Sequence, residues 1–360
     1  MRRPVFRRPT EEAVALFAAA HHVHLASTTP GGAPVLKTLH AVVDEGALFF
    51  HAAPVGEKLE VVGRPAVVTA VEVVAQIPSY FTDPERACPA TTLYRSAQAH
   101  GVIEEVTDPE RKASALRRLM EKLQPEGGYA PLAAGSPLYQ KAIAGLFVGR
   151  LSLDRVDGKA KLCQHKRPAE RAKIVEALFR RGEPGDCRAI EAILAASAED
   201  PPPPLLAGPR GSRFCLAPSP EDAAASARLL AGTYWNDRFD ERALTEAQIG
   251  SQAFVVLRDA AGEVVASARA ISDGVKHAWV YDVIVAPGWR GSGAGTALMR
   301  LLLDHPAIRR ARLVHLGTRD AVRFYERLGF VESTKIARPY RSTTMTFDRR
   351  GTGESDRLSG

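Results

Sequence analysis

The segment "GWRGSGAGTAL" (Gly288–Leu298) places four glycines around one arginine, two residues after the apolar run "WVYDVIV". Glycine lets a backbone approach a ligand closely because it has no Cβ, and the amide N–H groups at a helix N-terminus bind anions. The Arg-x-x-Gly-x-Gly spacing, set between a strand and a helix, therefore predicts a diphosphate site. The residues expected in it are Arg290, Gly291, Ser292, Gly293, Ala294, Gly295 and Thr296.

This loop departs from the two common nucleotide-binding fingerprints. A dinucleotide-binding loop needs glycines at relative positions one, three and six, but Thr296 stands at the sixth position after Gly291 and Gly293. A P-loop needs lysine and then serine or threonine after its last glycine, whereas Thr296 and Ala297 follow Gly295. Both fingerprints also belong to a buried parallel sheet, and the flanking strands lack that pattern. The loop therefore predicts a different phosphate ligand.

A second block, "GTRDAVRFYERLGF" (residues 317–330), follows the glycine loop. In this order the two blocks resemble the GCN5-related N-acetyltransferase (GNAT) superfamily, and the resemblance covers Phe214–Phe347. It implies acetyl-CoA as cosubstrate and the amine of a small molecule as acetyl acceptor. It also implies that Tyr325 protonates the departing CoA thiolate. The backbone contacts to pantetheine would come from Val283, Ile284 and Val285.

Acetyl transfer also requires a general base that takes the proton from the attacking amine. Asp282, on the strand before the glycine loop, is the first candidate for this base, and Asp273 is the second. Asp282 has an alternative interpretation, as a structural hydrogen-bond acceptor at the end of a strand. The alternative for Tyr325 is an aromatic helix residue packed in the core.

The first half of the chain contains a second candidate phosphate site. The segment "TLHAVVDEGALFFHAAPVGEKLEVV" (Thr38–Val62) predicts two strands joined by a tight turn, followed by Gly-Glu-Lys at the start of a helix. Lys58 near that helix N-terminus, with Lys37 on the neighbouring strand, could hold a phosphate. The alternative interpretation is an ordinary surface lysine.

This arrangement resembles the pyridoxamine 5′-phosphate oxidase-like FMN-binding split barrel over Phe6–Leu194, in particular its branch of nitroimidazole-resistance-type flavoproteins. The runs "LYRSAQAHG" and "GKAKLCQHKRP" resemble a later strand of that branch and a tail of FMN-binding transcriptional regulators. The resemblance implies a homodimer that completes its FMN pockets across the interface. The sequence departs from the pattern at Lys37, where the oxidases use arginine, and at His165, where the tail has asparagine. The implied FMN site is lined by Lys37, Thr38, Leu39, His51, Lys58 and Ser96.

Histidines are dense in the same region, at positions 21, 22, 24, 40 and 51. Their spacing does not match a structural zinc site and no cysteine lies near them, so no metal site is predicted from them. Some split-barrel relatives carry haem, and His51 is the candidate axial ligand if haem replaces FMN. Two alternative functions follow. One is a haem-binding split-barrel enzyme of specialised metabolism fused to an acetyltransferase, and the other is a non-catalytic regulatory protein that senses a flavin or another ligand.

The elements that must position these residues differ between the two halves of the chain. Short β-rich runs with turn signals, followed by helices, predict an N-terminal split β-barrel with appended helices. The second half predicts an α+β GNAT fold with a mixed, mostly antiparallel sheet. Ser219 is expected to cap its first helix, and a last strand is expected near residues 342–347.

The proline-rich stretch "AEDPPPPLLAGPRGSR" (Ala198–Arg213) separates the halves, because consecutive prolines favour an extended spacer. The predicted organisation is a split-barrel domain at residues 1–197, a linker at 198–211, an acetyltransferase domain at 212–350 and a flexible tail at 351–360.

Composition sets further expectations for the 360-residue chain. The net charge of +7 is spread along the sequence, and no helix-turn-helix pattern occurs, so nucleic acid is not an expected partner. The four cysteines form no C-x-x-C pair, which is typical of a reducing compartment. No apolar run approaches the length of a membrane span. The sequence therefore predicts a cytoplasmic, two-domain enzyme without a membrane partner.

Overall fold

The computed structural model describes residues 3–335. The chain divides into two compact units, Met1–His315 and Leu316–Gly360, and each is described by itself. The predicted strand near 342–347, the tail at 351–360 and the end of the predicted acetyltransferase domain lie outside the described residues. In the part of the chain that is described, no helix is long and apolar enough to cross a bilayer.

The first 200 residues form an antiparallel β structure with helices around it. Its elements are β1 (Arg7–Arg8), α1 (Thr10–Ala19), β2 (Val23–Thr28), β3 (Pro34–Leu39), β4 (Ala41–Asp44), β5 (Ala47–Ala52), α2 (Glu57–Glu60), β6 (Pro65–Ile77), β7 (Thr91–Val102), β8 (Glu104–Glu105), α3 (Pro109–Leu123), α4 (Gln140–Gly145), β9 (Phe147–Ser152), β10 (Val156–Lys161), α5 (Pro168–Arg181) and α6 (Asp186–Ala195).

These strands form two sheets around one core. The six-stranded sheet has the order β1-β10-β7-β6-β2-β3 and the four-stranded sheet the order β4-β5-β9-β8. The chain passes to the four-stranded sheet between β3 and β4 and between β7 and β8, and it returns between β5 and β6 and between β9 and β10. Leu25 from the first sheet, Leu48 from the second and Phe17 from α1 are fully buried in one cluster. The predicted split barrel is confirmed, although the two sheets do not close into a continuous cylinder.

The proline-rich stretch packs against the rest of the first unit. Leu206 within it is fully buried, and the Gly208 N–H donates to the Ser212 carbonyl at 2.8 Å. Arg171 of α5 forms an ion pair with Asp200 just before the prolines. The stretch therefore has a fixed course, while the domain boundaries drawn on either side of it stay predictions.

Residues 213–315 form an α+β fold. Its elements are β11 (Arg213–Cys215), α7 (Pro220–Leu230), α8 (Glu241–Ile249), β12 (Ala253–Arg258), β13 (Val264–Ser272), β14 (His277–Val285), α9 (Ala294–Leu303) and β15 (Leu313–His315). The second unit, described by itself, contains α10 (Val322–Glu326). The five strands lie in sequence order, antiparallel except for the parallel pair β14–β15. Ser219 accepts a hydrogen bond from the Asp222 N–H, which confirms the predicted cap of α7. The mixed, mostly antiparallel sheet is likewise confirmed.

Within the first unit, α5 and α6 connect the split barrel to the α+β fold. The Arg309 guanidinium, after α9, donates to the carbonyls of Phe179 and Arg180 at 2.9 and 2.5 Å. Glu191 of α6 accepts from Arg213 at 2.8 Å and from the Leu216 N–H at 2.9 Å. The appended helices therefore hold β11 in place through charged hydrogen bonds.

Candidate functional sites

The glycine loop ends in a helix N-terminus that has no side-chain cap. Gly291 and Gly293 have φ values of +76° and +88°, a region that L-residues with side chains adopt at a cost, and α9 starts at Ala294. The Ala294 N–H donates to Ser292 Oγ at 3.3 Å. Within residues 3–335, the N–H groups of Gly295 and Thr296 have no acceptor. These free donors and the positive end of the helix dipole suit an anion.

Two arginines hold the loop in this conformation. Arg290 Nε lies 3.4 Å from the carbonyl oxygen of Val285, at the end of β14. Arg210, from the proline-rich stretch, donates to the Gly288 carbonyl at 2.9 Å and lies over the Trp289 ring at 5.3 Å. Sequence reasoning missed Arg210, because nothing in the local pattern connects it with a loop 78 positions away.

The strand before the loop has an open edge. The parallel ladder between β14 and β15 covers only His277–Trp279. Beyond Trp279, no strand among residues 3–335 pairs with that edge of β14. Val283, Ile284 and Val285, predicted to contact pantetheine through their backbones, lie in this unpaired stretch next to the glycine loop.

Asp282 lies at a β-bulge, where two residues of β14 face one residue of β13. Its φ is +52° and its side chain is buried. One carboxylate oxygen accepts from Arg269 Nε at 2.5 Å, and the other accepts from Asn236 Nδ2 at 3.1 Å. Both oxygens are therefore engaged, and protonating Asp282 would leave the Arg269 guanidinium without its buried partner. This geometry favours a positioning role, while the assignment of Asp282 as the base stays a prediction.

Asp273, the second candidate base, belongs to the turn between β13 and β14. Its Oδ1 accepts the backbone N–H groups of Val275, Lys276 and His277 at 2.8, 2.7 and 3.1 Å. These hydrogen bonds, led by that from Val275, lower the pKa of Asp273. A carboxylate used in this way closes the turn and is a weak proton acceptor.

Tyr325 lies on α10 in the second compact unit. Its ring meets the rings of Phe324 and Phe330 edge-on, with centroids 5.0 and 5.8 Å away. The ring is half-buried among these aromatic neighbours. Its catalytic role stays a prediction.

Most of the residues predicted to line the FMN site lie around the edge strand β3. Lys37 forms an ion pair with Glu57, so its charge is compensated. Thr38 Oγ1 is 3.1 Å from His24 Nδ1. Leu39 is buried, which leaves only its backbone for a ligand. Lys58 is half-buried, with no acidic partner in the described part of the chain. It is the residue of this group best placed to meet an anion.

The imidazole of His51 is at the end of β5. Partial burial of the ring, and then the neighbouring His40 and Lys58, lower the pKa of His51. A neutral imidazole can accept a hydrogen bond or ligate a metal. His40 also meets His22 edge-on, with ring centroids 5.8 Å apart. Across residues 3–335 no group of three or more His, Cys, Asp or Glu could hold a metal ion.

Ser96 is separated from the other predicted flavin residues. It lies on β7, opposite Val71 on one side and Lys159 of β10 on the other. In the sheet order, β7 and β3 are three strands apart, which is about 14 Å along the sheet at about 4.8 Å per strand. One chain therefore presents the predicted flavin residues as two groups, Ser96 in one and the β3 residues in the other.

Comparisons with known proteins agree with this architecture. The family model described as pyridoxamine 5′-phosphate oxidase matches residues 9–160, and that described as acetyltransferase (GNAT) family matches residues 222–330. A curated relative, "Uncharacterized N-acetyltransferase ycf52" of Pyropia yezoensis, is 32% identical over 78 residues, which are 21% of this chain and 44% of the relative. The chain thus spans less than half the length of that relative.

Two solved structures resemble the first domain. One is described as a candidate 5-nitroimidazole antibiotic resistance protein from Bacteroides thetaiotaomicron, with 19% identity, 42% of this chain and 84% of that chain covered, and a TM-score of 0.35. The other is an FAD and haem binding protein from Mycobacterium smegmatis, with 21% identity, coverages of 42% and 70%, and a TM-score of 0.36.

The chain is therefore a two-domain protein made of a split barrel and an acetyltransferase fold. Its first domain is pyridoxamine 5′-phosphate oxidase-like, and its second is a GNAT domain. Both resemblances expected from the sequence are confirmed.

Proposed function

We propose that the second domain transfers the acetyl group of acetyl-CoA to the amine of a small molecule. The uncapped N-terminus of α9, with Gly291 and Gly293 at positive φ, carries this proposal, because it presents free N–H donors to a diphosphate. The open edge of β14 lies next to it and offers backbone groups to the pantetheine arm. The match of residues 222–330 to the acetyltransferase family supports the same ligand.

In the proposed reaction the amine nitrogen attacks the thioester carbonyl carbon, a C–N bond forms and the C–S bond breaks. Tyr325 donates its phenolic proton to the departing thiolate. The proton lost by the amine goes to Asp282 or to a water that Asp282 orients. The route through water leaves the Asp282–Arg269 ion pair intact, and the buried geometry of that pair favours it.

The direct test is turnover of acetyl-CoA with a panel of primary amines, read as release of free thiol, together with a variant of the loop. Gly293→Ala should weaken acetyl-CoA binding about tenfold, because a φ of +88° costs an L-residue about 1–2 kcal/mol and the new Cβ stands in the diphosphate cradle. The dissociation constant from calorimetry measures this.

Gly288→Ala is the matched control for this variant. It lies in the same loop, its φ is outside the left-handed region, and a Cβ there would meet no atom within 4 Å. Its acetyl-CoA affinity should equal that of the unmodified protein. If Gly293→Ala binds acetyl-CoA as tightly as Gly288→Ala does, the loop is not the diphosphate site.

We propose that the first domain binds FMN and that two copies of the chain complete the pocket. The half-buried Lys58, together with Thr38, would hold the phosphate, and Ser96 of a second copy would come from the other group of residues. The separation of these groups by three strands within one chain supports this arrangement. When bound, a flavin supplies hydride transfer. Haem on His51 is the alternative cofactor.

The purified protein is expected to sediment as a dimer and to show flavin absorption bands instead of a Soret band. Lys58→Met should weaken FMN binding about tenfold while leaving riboflavin, which lacks the phosphate, unaffected. Fluorescence titration measures both affinities. Lys141→Met, at an exposed position on α4, is the matched control. Equal loss of FMN and riboflavin affinity would contradict the role of Lys58, and a Soret band would favour haem.

A further inference from the structure

A basic cleft of about 570 Å³ lies at the opposite edge of the six-stranded sheet from β3. It is formed by the start of the chain, the segment before β7, and β10 with the turn that follows it. Four cationic side chains line it, and none of its lining residues is acidic. The lining residues that matter here are Arg3, Phe6, Lys159, Lys161, His165 and Lys166.

The alternation of β10 explains why two of the lysines point into the cleft. Gly158 and Ala160 are buried on the side of the sheet that α1 covers, and a Cβ on Gly158 would lie 3.1 Å from the Cβ of Ala13. Lys159 and Lys161 therefore share the outward face. Lys161 donates to Thr91 Oγ1, and Lys159 lies over the Tyr94 ring at 5.0 Å.

A tight turn after β10 brings further charge to the same place. Cys163 has a φ of +69°, and the Lys166 N–H donates to its carbonyl at 2.9 Å. The Gln164 side chain locks the turn by accepting from the Leu162 N–H at 2.7 Å and donating to the Ala160 carbonyl at 3.0 Å. The chain thereby returns Lys166 to the cleft beside Lys161.

This charge is poorly compensated by the protein itself. Arg7 stands directly opposite Lys159 in the β1–β10 ladder, and like charges in that position are destabilising. Glu170 is 3.9 Å from Lys166, but it also accepts hydrogen bonds from Arg167. Among residues 3–335, Arg3, Lys159 and Lys161 form no ion pair with an acid. The fold therefore keeps a repulsion that an anionic ligand would relieve.

Aromatic groups border the basic cleft on one side. Phe6 meets the His165 ring edge-on, with centroids 5.2 Å apart. Partial burial, and then Arg3, Lys166 and Lys161, lower the pKa of His165. The imidazole is therefore neutral near pH 7, and the positive charge of the cleft comes from lysine and arginine.

We propose that the basic cleft binds the phosphate or diphosphate group of a small molecule. Clustered lysine and arginine donors that lack acidic partners are the chemistry that recognises such a group. The phosphate could be that of the flavin in the proposed function, held by Lys58 of one copy and by Lys159 of the copy that supplies Ser96, since Ser96 lies directly beside Lys159 in the ladder. It could equally belong to a separate phosphorylated metabolite. The binding chemistry is the same in both cases.

Titration of inorganic pyrophosphate into the full-length protein, followed by calorimetry and thermal unfolding, tests the proposal without any flavin. The double variant Lys159→Gln/Lys161→Gln should raise the pyrophosphate dissociation constant at least tenfold. In buffer without phosphate or sulfate, Lys159→Gln alone should not lower the unfolding temperature, because relief of the repulsion with Arg7 offsets the lost contact with the Tyr94 ring. A merely structural role for Lys159 would lower that temperature. Lys141→Gln is the control.

The proposal is overturned if the unmodified protein does not bind pyrophosphate, or if the double variant binds it with the same dissociation constant. Should the double variant fail to fold, the single variant Lys159→Gln removes one lining cation and provides the same comparison. FMN and riboflavin titrations then distinguish the sources. If the variant loses affinity for FMN but not for riboflavin, the cleft binds the phosphate of the flavin. Unchanged FMN affinity, with pyrophosphate still binding the FMN-loaded protein, assigns it to another molecule. Failure of all flavin binding rejects the flavin proposal and leaves the pyrophosphate result valid.

Discussion

Replacing Tyr325 with phenylalanine is expected to lower kcat for acetyl transfer about 100-fold, which is the lower part of the range for loss of a general acid. The phenol is expected to protonate the departing thiolate, and phenylalanine keeps the ring while removing the proton. Phenylalanine keeps the ring contacts with Phe324 and Phe330, whose centroids lie 5.0 and 5.8 Å away. Steady-state kinetics with acetyl-CoA and the best amine of the panel measure the effect.

Comparing kcat with the acetyl-CoA dissociation constant of Tyr325→Phe distinguishes a catalytic role of Tyr325 from a structural one. The dissociation constant of acetyl-CoA should change less than about threefold, because the interaction is made mainly in the transition state. Tyr80→Phe, on an exposed residue of the split barrel, is the control of the same type and should leave turnover unchanged. Turnover by Tyr325→Phe at the unmodified rate would remove Tyr325 from the mechanism, and an equal loss of binding and kcat would point to packing.

The glycine loop could be predicted from the sequence because its requirements are local. Glycines that must adopt positive φ, and a helix that starts after them, leave a signature within a few residues. Gly291 and Gly293 have the expected φ values, and α9 starts where the spacing placed it. The order of β-rich runs, turn signals and helices likewise predicted both fold classes, since these signals depend only on neighbouring residues. Short elements between the stronger signals, such as α4 and α8, were not predicted.

The partners of the site residues could not be predicted, because they depend on register between distant strands. Asp282 is paired with Arg269 because of a β-bulge, and the hydrophobic periodicity of the sequence does not indicate that bulge. Ser96 lies three strands from β3, and Lys37 is compensated by Glu57, 20 positions away. The basic cleft joins Arg3 to Lys159, at the two ends of the barrel domain. Composition showed only that positive charge was spread along the chain.

The ion pair between Asp282 and Arg269 predicts a large loss of stability when Asp282 is neutralised. Asp282→Asn should lower the free energy of unfolding by about 3 kcal/mol, because it leaves the Arg269 guanidinium, whose side chain is only 13% exposed, without a counter-charge. Asparagine tolerates the φ of +52° as well as aspartate does, so the change isolates charge from backbone strain. Denaturant unfolding, followed by tryptophan fluorescence, measures the difference.

A double variant decides whether Asp282 acts as the base or positions the strand. Arg269→Gln/Asp282→Asn removes both charges of the pair, so its free energy of unfolding should be higher than that of Asp282→Asn alone. If Asp282 positions the bulge of β14, kcat should recover together with stability in the double variant. If the Asp282 carboxylate accepts the proton or orients the water that does, stability recovers while kcat stays low. The engagement of both carboxylate oxygens by Arg269 and Asn236 favours the route through water, so we expect this second outcome. A double variant that is both stable and active would restrict Asp282 to positioning the strand.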